Sequence, residues 1–330
     1  MYSLFPNVVF CNNLPQKNCN SVEIQKSMSL IAIILILTSA FMHAGWNLFS
    51  KSKHPTTAFF MVASLIGALS LSPLLVLWLD TLINNIPSLV WVLLGTTGLF
   101  QALYYCALAG AYRSGDMSVV YPLARSIPAV LVVIIALLLG QNTQITAQCI
   151  FGIILIILGS TLIPVKLLRD FKLRNYLNAT CGLALLAAVG TAGYSLLDDQ
   201  ALKLLRTDTS LAMNNTELTL LYACLGAWTT TFWMAILVCL RQNNRQHVKH
   251  IFQNHKRHVL LTGLTMQLTY VLVLISFAFV SNVSYVVGFR QLSIPLGASL
   301  GILILKEAPH RTKICGVIIV FIGLIFVALG

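Results

Sequence analysis

Apolar residues in this chain come in runs of helical length, broken by short polar stretches. A hydrocarbon core about 30 Å thick is crossed by about 20 apolar residues as helix. Ten runs reach that length, at roughly 29–49, 56–79, 88–112, 117–139, 145–164, 179–200, 216–240, 258–280, 283–305 and 310–329. They leave no stretch long enough for a soluble domain. Residues 1–28 are polar and rich in Asn, with Lys17, Glu23 and Lys26. They lack the charged start, short apolar core and small-residue cleavage site of a signal peptide. They read as a mobile tail ahead of a first span that acts as its own uncleaved signal.

Composition narrows the class further. Of 330 residues 58% are apolar and 9% charged, where a soluble domain carries about 25% charged residues. Mean hydropathy is +0.85. Disorder is excluded, because disordered chains are poor in apolar residues. The net charge of +12 is scattered between apolar runs and forms no single basic face, which argues against a nucleic-acid partner. The eight cysteines include no CxxC pair, and most fall inside apolar runs, as small apolar fillers do. The expectation is an all-α integral membrane protein that needs no cofactor and no metal.

The basic residues are biased between the two sets of connections. The odd connections carry fifteen: Lys51, Lys53, Arg113, Lys166, Arg169, Lys172, Arg174, Arg241, Arg245, Lys249, Lys256, Arg257, Lys306, Arg311 and Lys313. The tail and the even connections carry four: Lys17, Lys26, Lys203 and Arg206. Odd connections are therefore expected in the cytoplasm and both termini outside, in a plasma (inner) membrane. The loop at 241–258 adds His247, His250, His255 and His258. Its two HxxH pairs lack an acid or Cys to complete a metal site, and a basic loop near anionic lipid is the simpler account.

The ten spans read as two halves of five. Ala44-Gly45-Trp46-Asn47 in the first span matches Ala192-Gly193-Tyr194-Ser195 in the sixth. Ser126-Ile127-Pro128 in the fourth matches Ser293-Ile294-Pro295 in the ninth. Gly152 and Gly159 frame an aliphatic run in the fifth, as Gly316 and Gly323 do in the tenth. The order of these short matches, in corresponding spans, gives them weight. Two successive copies with an odd number of spans enter the membrane from opposite sides, so the halves are inverted repeats. The division is a tail at 1–28, a first repeat at 29–164, a basic cytoplasmic linker at 165–178 and a second repeat at 179–330. Inverted repeats around a midplane site are the architecture of secondary transporters.

The run Gly115-Asp116-Met117-Ser118-Val119-Val120-Tyr121-Pro122-Leu123-Ala124-Arg125 resembles the fourth-span signature of EamA-type proteins of the drug/metabolite transporter superfamily. His43-Ala44-Gly45-Trp46-Asn47 followed by Lys51 is similar to the first-span motif, and Gly193-Tyr194-Ser195-Leu196-Leu197-Asp198 to the sixth-span motif. The resemblance covers roughly residues 29–329. It implies ten helices in two inverted five-helix units, with spans one, three, four, six, eight and nine around a cavity and spans five and ten as peripheral supports. Members move amino acids, metabolites, drugs or nucleotide sugars, and many are exporters. Where the family often closes the fourth span with Gly-Glu, this chain has Gly140-Gln141, whereas Lys306-Glu307 closes the ninth.

Arg125 and Arg290 lie about eight or nine residues into their spans, roughly 12 Å deep at 1.5 Å per residue. A charge there costs about 2.5–3.5 kcal/mol on the insertion scale and must face a wet cavity or a partner. Either arginine can be an anion clamp, since a guanidinium fork fits carboxylate or phosphate, or half of an internal ion pair or carbonyl cap. Asp198 and Asp199, near the outer end of the sixth span, are the natural counterparts. Asp198 occupies the motif position and suits an arginine or a coupling proton. His43, Trp46 and Asn47 share one helix face near the cytoplasmic end of the first span, with an anchoring interfacial Trp as the plainer reading. Gln101, Tyr104 and Tyr105 cluster in the third span, Gln267 and Tyr270 in the eighth, and Tyr121, Tyr285 and Gln291 in the fourth and ninth. Interhelical hydrogen bonding is their default role. Together with Tyr194 they fall in the spans expected to line a cavity. Pro122, Pro128 and Pro295 and the Gly297/Gly301 face suit bent, closely paired helices.

The function expected is a secondary carrier of a small polar or anionic metabolite, working by alternating access and exporting its substrate. Its partners are that small-molecule substrate and membrane lipids, with a homodimer as a candidate assembly. The rivals are a lipid or lipid-linked-sugar flippase of the same fold and, less well supported, an intramembrane enzyme. A magnesium diphosphate site needs more carboxylates than Asp198-Asp199 provides. No HExxH or ATP-binding motif is present in the sequence.

Overall fold

The computed structural model describes residues 30–52, 56–78, 86–138, 146–166, 176–207, 213–240, 248–251, 253–276 and 290–329. Among these residues ten long helices form: α1 (Leu30–Ser52), α2 (Thr57–Leu77), α3 (Ser88–Ser114), α4 (Met117–Leu138), α5 (Ala147–Leu162), α6 (Ala179–Thr207), α7 (Asn215–Cys239), α8 (Lys256–Ser276), α9 (Ser293–Leu303) and α10 (Arg311–Leu329). Several starts are written in the local sequence. Thr56 caps α2 by accepting from the Phe59 N–H, and Thr146 caps α5 by accepting from the Cys149 N–H. Asn214 and Glu217 form a capping box at the head of α7. The tail, Lys53, Gly140-Gln141, Arg169, Lys172, Arg174, Arg241, Arg245, His247 and Tyr285 lie outside the described residues.

Seven helices, α1 to α4, α6, α7 and α10, are long and apolar enough to cross a membrane. The spans expected at 145–164, 258–280 and 283–305 are represented by α5, α8 and α9, which do not meet that standard over the described residues. The reasons differ. The 16 residues of α5 rise only about 24 Å. α8 has 21 residues and opens with Lys256 and Arg257. The 11 residues of α9 start after a turn at Gln291-Leu292. That turn has a local cause. Pro295 has no N–H for the Gln291 carbonyl four residues back, and the Ile294 N–H takes that carbonyl instead, at 2.9 Å.

The helices pack in a regular scheme. α2 lies on α7, α4 on α9 and α5 on α10. α3 lies on α6 and α7, and α8 on α1 and α2. α4 also touches α6, and α9 touches α1. Small residues permit the closest of these contacts. On α6, Ala187 and Gly190 lie nearly one turn apart and are buried, and a Cβ at Gly190 would stand 2.9 Å from the Phe100 carbonyl of α3. α5 and α10 cross with glycine against glycine: a Cβ at Gly152 would stand 2.6 Å from the Gly323 carbonyl, and one at Gly159 2.7 Å from the Gly316 carbonyl. The outer faces of this pair, including Ile150, Ile154, Ile157, Ile314, Ile318 and Ile322, are exposed.

Helix ends sort into two groups. At one end, Lys51 of α1 donates to the Tyr112 carbonyl and, at 2.6 Å, to that of Gly115 beyond α3. There too Thr180 of α6 donates to Ser114, and Thr312 of α10 donates to the Val165 carbonyl beyond α5. At the other end Trp78, Ile86 and Val90 pack with Leu205 and Leu218, so the end of α2 and the start of α3 meet the end of α6 and the start of α7.

Candidate functional site

The site is built where α1, α4 and α9 converge. His43 of α1 shares a hydrogen bond with the Tyr121 hydroxyl of α4, Nδ1 to Oη 2.8 Å. Asn47, one turn on and fully buried, donates to the His43 carbonyl at 2.8 Å and accepts from the Tyr112 hydroxyl at 2.7 Å. This chain of polar groups fixes α1 against α3 and α4. Trp46 is buried at 3% exposure, its ring 5.1 Å from His43 and edge-on to Phe60. It belongs to the interior and does not anchor an interface.

Arg125 lies one turn beyond Tyr121 on α4 and is half-buried. Its Nη2 reaches Ser293, at the start of α9, only at 3.5 Å, and its Nε is buried without a partner. Arg290, just before the turn at Gln291-Leu292, is close enough for the two guanidinium charges to act on each other. The fields of both reach Tyr121 and Tyr194. Gln291 follows, its Oε1 also buried without a partner.

Aromatic residues close the surroundings. Tyr105 stacks on Phe60 at 5.4 Å, Tyr104 lies 4.9 Å from Tyr105, and Tyr194 meets Tyr104 edge-on at 6.3 Å. Tyr270 of α8 lies in the field of Arg290 and near Tyr105 and Tyr194. The thirteen residues singled out in the sequence therefore divide. His43, Asn47, Tyr121, Arg125, Tyr194, Tyr270, Arg290 and Gln291 gather at the centre, with Trp46 and Tyr105 in the aromatic wall. Gln101 accepts from Thr230 at 2.7 Å and ties α3 to α7, and Gln267 lies over Gly67 of α2. Asp198 is buried and accepts from Tyr222 at 2.7 Å and from Thr97 at 3.0 Å. Neither arginine forms an ion pair among the described residues. Asp199 pairs with Lys203 on the surface.

A second polar knot lies at the end marked by Lys51, and most of it escaped the sequence reading. Glu307, after α9, accepts from the Met117 and Ser118 N–H groups at 2.7 and 2.8 Å, so a carboxylate from the second half caps α4 in the first. Lys306 sits at φ 56°, a left-handed conformation that turns the chain so that the Glu307 N–H reaches the Gly301 carbonyl at 3.2 Å. Lys313, 3% exposed, bridges Asp116 at 3.2 Å, Ser118 at 2.9 Å and the Ala308 carbonyl at 3.1 Å. Gly301 leaves room for this contact, since a Cβ there would stand 2.6 Å from Glu307 Oε2. The sequence signals were Lys51 after the first-span motif, Asp116 and Ser118 in the fourth-span run, Lys306-Glu307 at the close of the ninth span and Lys313 among the basic residues of the odd connections. Among the described residues no three His, Cys, Asp or Glu side chains gather as a metal site.

Compared with known protein families, residues 30–165 match the model of the EamA-like transporter family. No curated protein matches the chain. A solved structure, described only as a crystal structure of protein, superposes with a TM-score of 0.54 over 90% of this chain and 95% of its own, at 16% identity. That likeness shows a shared fold.

Proposed function

We propose that this chain, a multi-pass membrane protein whose residues 30–165 belong to the EamA-like transporter family, is a secondary carrier and exporter of a small polar or anionic metabolite. The observation that carries this reading is Arg125. A guanidinium deep in an apolar bundle, with Nε buried and unpartnered and no carboxylate paired to it, is held ready for an anion from outside the chain. Arg290 and Gln291 face the same ligand, and His43, Tyr121, Tyr194 and Tyr270 surround it.

Alternating access rests on the packing scheme. Exchanging each helix for the one five places away in the chain turns α3–α6 into α8–α1, α3–α7 into α8–α2 and α4–α6 into α9–α1, and returns α2–α7, α4–α9 and α5–α10 to themselves. This supports ten spans in two inverted repeats. The knot of Lys51, Asp116, Ser118, Glu307 and Lys313 joins the halves at the end where the odd connections gather. On the charge bias of those connections this is the cytoplasmic end, closed in the present conformation, with both termini outside in a plasma membrane.

The test is counterflow in proteoliposomes loaded with a panel of labelled organic anions. The intact protein is expected to exchange at least one of them, and Arg125→Gln to lose that exchange while inserting normally. Equal exchange by both proteins would remove Arg125 from the site.

A further inference from the structure

Resting on that carrier reading, we infer that the site selects a compact dianion, the head of a phosphate monoester or a dicarboxylate, over a singly charged anion. Charge bookkeeping across the described carboxylates leads there. Asp116 is taken by Lys313, Glu307 by the head of α4, Asp199 by Lys203 and Glu217 by the cap of its own helix. Asp198 is the one carboxylate within the interior. Its charge reaches Tyr194 and Tyr270, but its oxygen is held by Tyr222 and Thr97, and it pairs with neither arginine.

Arg125 reaches Ser293, one turn after Arg290, so two guanidinium groups act on each other here, and no carboxylate of the described chain pairs with either of them. The other titratable groups there are His43, hydrogen-bonded to Tyr121, and the tyrosines, none of which is a carboxylate that could pair with an arginine. A monoanion would match one arginine and leave the other buried and repelled. A dianion matches both, and the mutual repulsion of Arg125 and Arg290 turns into attraction for the ligand between them. The unpartnered Nε of Arg125 supplies a donor fixed in direction.

The experiment measures affinity by isothermal titration calorimetry on the purified full chain at pH 8. The probes come in two pairs, methyl phosphate with dimethyl phosphate and succinate with monomethyl succinate. Within each pair the size is nearly constant and the charge falls from two to one, since a phosphate monoester loses its second proton near pH 6. The dianion is expected to bind at least about tenfold tighter than its ester in one pair or both, and the stronger pair identifies the head group. Arg290→Gln brings that ratio to about one, whereas Arg290→Lys keeps it. A merely structural Arg290 would instead lower all four affinities together in both variants, which overturns the inference. Ratios near one in both pairs for the intact protein also overturn it and leave the carrier reading standing. If no organic anion binds, and none is exchanged in counterflow, both fail.

Discussion

A guanidinium near the middle of a bilayer costs about 2.5–3.5 kcal/mol on the insertion scale. Arg125 bears that cost with one long hydrogen bond to Ser293 at 3.5 Å. Its removal should relieve the fold: Arg125→Gln is expected to keep or raise the thermal unfolding temperature in detergent while exchange falls at least about tenfold. A fall of several degrees would make Arg125 structural instead. Asp198 predicts the opposite. Its carboxylate satisfies Tyr222 and Thr97, and hydrogen bonds to a charged group contribute about 1.5–3 kcal/mol each. Asp198→Ala should therefore lower unfolding stability by about 3 kcal/mol and change anion affinity less than about threefold, both measurable on the same purified sample. The sequence showed that Arg125, Arg290 and Asp198 are costly at their depth, but not which of them meet. Tyr222 lies 24 positions from Asp198 and Thr97 lies 101 away, and no periodicity links such partners. The local relation of His43 to Asn47, one turn apart, was legible because helical spacing alone creates it.

At the scale of elements, close approach decides which helices hold the frame. α5 and α10 meet through Gly152 against Gly323 and Gly159 against Gly316, away from the arginines. A side chain forced into that crossing overpacks it, at about 1–3 kcal/mol. Gly152→Val should lower the unfolding temperature and leave the KM of exchange unchanged, and a raised KM would place this pair nearer the substrate than the fold does. The sequence paired these four glycines by repeat logic without revealing that they touch. The same holds for α9: Pro295 was visible, but the turn at Gln291-Leu292 follows from which carbonyl the Ile294 N–H takes. Glu307 shows what local patterns leave out, because it caps a helix 190 positions away in the chain. Its two charge-assisted bonds join the halves at one end only. Glu307→Ala should raise alkylation of Ser118→Cys from the cytoplasmic face several-fold, and unchanged alkylation would show that this knot does not close the path.

For the whole molecule the apolar runs were the most legible feature, because the bilayer imposes one length on all crossings. Their number in the described structure is less uniform, with seven helices long and apolar enough to cross and α5 and α9 shorter. The two arginines need not lie in full-length helices to share a site; Arg290 gains its position from the break before α9. The inverted-repeat reading predicts that reporter fusions at both termini are active outside, and activity of either one in the cytoplasm would refute the assigned orientation. The most direct test of alternating access uses one cysteine at position 291, Gln291→Cys, in a chain whose native cysteines are replaced. Membrane-impermeant thiol reagents are applied from each side of sealed vesicles. Labelling from both sides, slowed by a transported anion, is the predicted result; labelling from one side only, or no protection by any anion, would contradict a site between Arg125 and Arg290 that opens alternately to the two faces.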